Sequence, residues 1–91
     1  MMESERIMFQ IYREAGYNRK YKVVYFTELH EHNREAEINR ALAGEGFLDG
    51  FIRSFQKDQA KQVIEDALRR LNDGQCLSPE ELQQGLAAYI V

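Results

Sequence analysis

The segment from Phe47 to Phe55 (Phe-Leu-Asp-Gly-Phe-Ile-Arg-Ser-Phe) most restricts what this chain can become. Alternate residues of a strand face opposite ways. Phe47, Phe51 and Phe55 then project to one side, and Leu48 and Ile52 to the other. A strand that is apolar on both sides needs cover on both faces, from its own chain or from a second subunit. Only 91 residues are available to supply it. That length makes one domain, residues 1–91. A domain of this size buries only about 60–65% of its unfolded surface, so its core is thin.

Two other segments read as strands. Tyr21 to Thr27 (Tyr-Lys-Val-Val-Tyr-Phe-Thr) is rich in aromatic and β-branched residues. Arg6 to Arg13 fits two templates. Ile7, Phe9 and Ile11 alternate as in a strand, whereas Ile7, Met8, Ile11, Tyr12 and Ala15 would also line a helix. The strand is preferred, because Ala15 to Lys20 then closes a hairpin with residues 21–27.

The helices are better signalled. Ala60, Val63, Ile64, Ala67, Leu68 and Leu71 recur at three-and-four spacing over residues 58–72. On the other side, Glu65–Arg69 and Asp66–Arg70 are expected to pair one turn apart, and Asn72-Asp73-Gly74 is a stop. Ser78-Pro79-Glu80-Glu81 has the form of a capping box with proline at the first helical position. Leu77 and Leu82 stand where a hydrophobic staple closes. Leu82, Leu86, Tyr89 and Ile90 then line one face. A third helix is predicted over 33–43, with Asn33 as cap, Ile38, Ala41 and Leu42 as its apolar stripe, and Gly44 and Gly46 ending it. The order is β-β-α-β-α-α, an α+β domain with a sheet of about three strands and helices packed on one face. The connection through 33–43 is long enough for a crossover.

One cysteine cannot close an internal disulfide, and no apolar run approaches the roughly 18 residues that cross a bilayer. Met1-Met2-Glu3-Ser4-Glu5 lacks the basic start of a signal peptide. A soluble, cytoplasmic protein with no membrane partner is expected.

The net charge of −3 conceals a dipolar chain. Residues 6–22 carry a local balance of +4, and residues 28–49 one of −4. The two regions would attract each other within a chain or between chains.

Three groupings are candidates for function. Glu28, His30 and His32 share one side of an extended segment, and imidazole with carboxylate suits Zn²⁺ or a similar metal. The spacing is not that of a His-Glu-x-x-His helix, and a solvated loop explains the stretch equally simply. Arg13, Arg19, Lys20, Lys22 and Tyr25 interleave basic and aromatic groups, as a nucleic-acid surface would. The acidic total and the shortness of the group weigh against that partner, and basic residues also protect hairpin edges from aggregation. Last, Phe47, Phe51 and Phe55 supply apolar surface for association, either with a second copy or with another protein. No phosphate loop, nucleophile elbow or cofactor motif is present: Gly44-Glu45-Gly46 lacks the required lysine, and Cys76 has no evident His partner. A non-catalytic interaction or regulatory module, homodimeric and without a cofactor, is the expected function. A nucleic-acid-binding module and a metal-binding protein are the alternatives.

Overall fold

The computed structural model describes residues 6–26 and 31–90, with backbone alone at 31 and 32. Its elements are β1 (Arg6–Arg13), β2 (Tyr21–Tyr25), α1 (Glu31–Ala43), β3 (Glu45–Arg53), a 3-10 turn (Ser54–Gln56), α2 (Lys57–Asn72) and α3 (Pro79–Gly85). The architecture is α+β, in the expected order.

Arg6–Arg13 is a strand, and it is the central one. The sheet order is β2-β1-β3, with β1 antiparallel to both neighbours. The outer strands therefore run parallel to each other, and α1 carries the chain from one edge of the sheet to the other. The hairpin loop turns through Gly16 at φ +104° and Arg19 at φ +47°. Glycine takes such angles freely, whereas few other residues enter the left-handed region where Arg19 sits.

Alternation sorts the side chains of the sheet. Ile7, Phe9 and Ile11 of β1 share a face with Tyr21, Val23 and Tyr25 of β2 and with Leu48 and Ile52 of β3. α2 lays Ala60, Ile64, Ala67 and Leu68 on this face, and Leu82 and Leu86 complete the cover. Phe9, Ile11, Ile52, Ile64 and Leu86 are its largest fully enclosed side chains. The periodic stripe of α2 is the buried one, as its spacing predicts. Its polar side differs from expectation: Arg69 pairs with Asp66, three residues back, while Arg70 Nε donates to Gln75 Oε1 at 3.2 Å. Arg70 is drawn to the helix end, where Gly74 at φ +87° reverses the chain.

The capping box of α3 is complete. The Glu81 amide donates to Ser78 Oγ, and the Ser78 amide donates to Glu81 Oε1, both at 3.1 Å. The helix ends at Gly85, so Leu86, Tyr89 and Ile90 pack from the turns beyond it.

Three expectations are corrected. α1 begins at Glu31, so Asn33 is an exposed interior residue and not the cap; its poor helix propensity costs under about 1 kcal/mol, which good helix formers nearby offset. The helices do not all lie on one face: Ala41 of α1 is buried against Tyr12 and Val24, with Phe26 beside them, on the opposite face. Finally, β3 does not alternate throughout. Ile11 pairs with Leu48 and Tyr12 with Gly46, leaving Phe47 as a bulge. The extra residue turns Phe47 toward the main core, where its ring meets Tyr21 edge-on at 5.6 Å. Phe47 therefore sides with Leu48 and Ile52, and Phe51 alone of the three Phe occupies the second face. Phe55 follows the strand, in the 3-10 turn, and is 80% exposed.

Each edge of the sheet has a local partner. The Asn72 carboxamide accepts from the Tyr21 amide at 2.8 Å and donates to its carbonyl at 3.1 Å, acting as one residue of a neighbouring strand on β2. At the other edge the Arg53 amide donates to the Tyr89 carbonyl at 2.9 Å, and Ile90 bridges Ile52. Asn72→Ala is expected to lose about 1–2 kcal/mol for two exposed hydrogen bonds and to raise the aggregation rate by freeing the β2 edge. Denaturant melts and light scattering at 37 °C read the two effects separately, and unchanged values in both would refute the edge role.

Candidate functional site

Among the described residues, the second face of the sheet is where cover runs out. α1 meets it through its C-terminal turns: Ala41 is buried, Glu37 and Ile38 are half-buried, and residues 33–36 are exposed. This contact lies at the Tyr12 end of β1. Gly44 fits beneath it because it has no side chain; a Cβ there would lie 2.3 Å from the Arg13 carbonyl oxygen.

Beyond α1 a strip of β1 and β3 is left open by the described residues. The register sets Arg6 beside Arg53, Met8 beside Phe51, and Gln10 beside Asp49. One end of the strip is thus positive, its middle is apolar, and its other end carries a carboxylate. Phe51 is 40% exposed, and the Arg6 guanidinium lies 5.1 Å from its ring centroid. Arg53 Nη1 donates to the Ala88 carbonyl at 3.3 Å, which uses one of its five guanidinium donors. At the acidic end, a cleft of about 450 Å³ opens between the strip and α1, lined by Gln10, Tyr12, Ala41, Leu42, Gly46 and Asp49 among others. Leu42 overhangs it and is 73% exposed.

Tyr12 is the titratable group of this cleft whose environment tells most. Burial pushes its phenol above the usual 10.0, Glu14 and Glu37 add to the rise, and Arg40 opposes it. The folded state therefore favours the neutral phenol. Stability from this group is fully present below the unfolded value near 10 and is lost as pH rises through the higher folded value. Tyr12→Phe is expected to melt like the parent at pH 7 and to fall less between pH 9 and 11. Parallel curves for the two proteins would refute it.

The basic and aromatic residues of the hairpin fall on both faces. Arg13 stacks on Tyr21, with its guanidinium 5.5 Å from the ring centroid, and its Nε donates to the Arg19 carbonyl at 3.0 Å. Arg19 pairs with Glu45 at 2.8 Å, and Lys22 lies 4.0 Å from Glu14. Lys20 is exposed. Tyr25 packs half-buried on the main core face, under the Lys61 ammonium at 4.7 Å, while Lys22 points to the opposite face. The Arg19–Glu45 pair joins the basic region to the acidic one within a single chain.

Glu28 and His30 lie outside the described residues, as does the side chain of His32. The backbone is already helical at His32, so the extended geometry assumed for the trio does not reach it. Among the described residues no group of three His, Cys, Asp or Glu is placed to hold a metal, and no helix is long and apolar enough to cross a membrane.

No protein family, curated protein or solved structure matches this chain. The site therefore rests on its own geometry. Sequence reading found Phe51 but missed Arg6, Met8, Asp49 and Arg53. Their signal was present as the minor partner of each alternation: Arg6, Met8 and Gln10 alternate with Ile7, Phe9 and Ile11, and Asp49 and Arg53 stand two residues either side of Phe51. Without the pairing of β1 to β3, nothing joins the two rows.

Proposed function

We propose that this chain is a small non-catalytic interaction module that acts as a homodimer. The observation that carries the reading is the open strip, positive at Arg6 and Arg53, apolar at Met8 and Phe51, and acidic at Asp49. A patch with opposite charges at its two ends complements a copy of itself. The thin core of a 91-residue chain gains from such cover.

Sedimentation equilibrium at micromolar concentration tests the reading. The expected result is twice the chain mass, reversibly lowered on dilution. A monomer throughout the range overturns it.

A further inference from the structure

We propose that two copies stack their open strips face to face, about a twofold axis that lies between the sheets and runs across the strands. This rests on the homodimer reading above and adds which surface is used and in which orientation.

Two twofold axes can place this sheet face on its own copy. An axis parallel to the strands lays β1 over the β3 of the partner. Arg6 then sits over Arg53 of the partner subunit, and Asp49 over the partner's Gln10, so like charges meet at one end and the carboxylate finds no cation at the other. An axis across the strands lays β3 over β3 with its direction reversed. Arg53 then sits over the partner's Asp49, Asp49 over the partner's Arg53, and Phe51 over the partner's Phe51, with Met8 meeting its own copy beside it. Charge alone separates the two arrangements, because like charges held opposite each other in an interface disfavour that pairing strongly.

The dimensions agree. Packed sheets stand about 10 Å apart, a gap that one Arg and one Asp side chain together span. The Arg6 guanidinium already lies against one side of the Phe51 ring, which limits the ring's freedom before association and lowers the entropy lost on contact. α1 is anchored at the Tyr12 end of the face, and the strip that remains open is the one with the complementary ends. The carboxylate in the strip also disfavours a polyanion as its occupant.

Charge reversal in two separate chains gives the test. Asp49→Arg and Arg53→Glu both alter exposed positions. In each homodimer the reversed charge faces a like charge twice, and each variant alone is expected to dimerise at least about tenfold more weakly than the parent. In an equimolar mixture, both contacts become attractive. Native mass spectrometry of the mixture should show the heterodimer, and sedimentation should show near-parental affinity. Failure of the mixture to recover dimer overturns the proposal. If both single variants dimerise like the parent, the dimer uses another surface: the proposal falls while the homodimer reading stands. A monomeric parent removes both.

Discussion

Replacing Phe9 by Ala is expected to cost about 3–5 kcal/mol, the largest loss from any single side chain of the sheet. Phe9 sits in the central strand, 1% exposed, with Tyr25 opposite it on one side and Gly50 on the other. Its ring covers the glycine: a Cβ built on Gly50 would meet the ring at 3.4 Å. A truncated Phe9 therefore leaves a void that its β3 neighbour has no side chain to fill. The cost of a cavity depends on how well the site collapses, and here a backbone would have to move. For a domain whose total stability is of order 5–15 kcal/mol, that loss is about a fifth or more. Urea titration followed by circular dichroism reads it, and Phe9→Leu, which keeps most of the volume, should recover much of the difference. A loss below about 1 kcal/mol would mean that the ring is not part of the main core. The consequence reaches the open strip as well. Met8 and Gln10 are displayed on the second face only because Ile7, Phe9 and Ile11 pin β1 to the first.

What could be read from the sequence follows from how local each signal is. The stripe of α2 and the capping box of α3 are set by residues within one or two turns of each other, and both stand as their spacing predicts. The strand character of β1 was ambiguous because Ile7 and Ile11 satisfy both periods; its central position between two partners resolves it in favour of the strand. The bulge at Phe47 was not legible. It lies just after Gly44, where the chain leaving α1 passes close to β1, and only the pairing of Tyr12 with Gly46 reveals it. Asn72 showed the same limit. It reads as a helix stop, but its carboxamide also completes the β2 edge 51 positions away. The candidate site belongs to this second kind. Its three pairs join residues separated by 39 to 47 positions, so its charge order exists only once the strands are aligned.

The second large effect is expected at Gly44. Alanine there would put its Cβ 2.3 Å from the Arg13 carbonyl oxygen and 3.1 Å from the Tyr12 ring. The first contact is with backbone that the sheet holds in place, so the strain cannot be relieved by turning a side chain. The cost should reach or exceed the upper end of the about 1–3 kcal/mol typical of overpacking. It should also be uneven. Ala41, Tyr12 and Val24 form a small cluster separate from the main core, and among the described residues α1 has little else holding it to the sheet. Forcing Gly44 away from Arg13 therefore loosens α1 before it unfolds the domain, and amide hydrogen exchange should accelerate across residues 33–43 while α2 stays protected. Gly46→Ala is the control, since no atom lies within 4 Å of its added Cβ. It should stay within about 0.5 kcal/mol of the parent. If Gly44→Ala and Gly46→Ala exchange and melt alike, the close approach of α1 to β1 is not what bounds the open face.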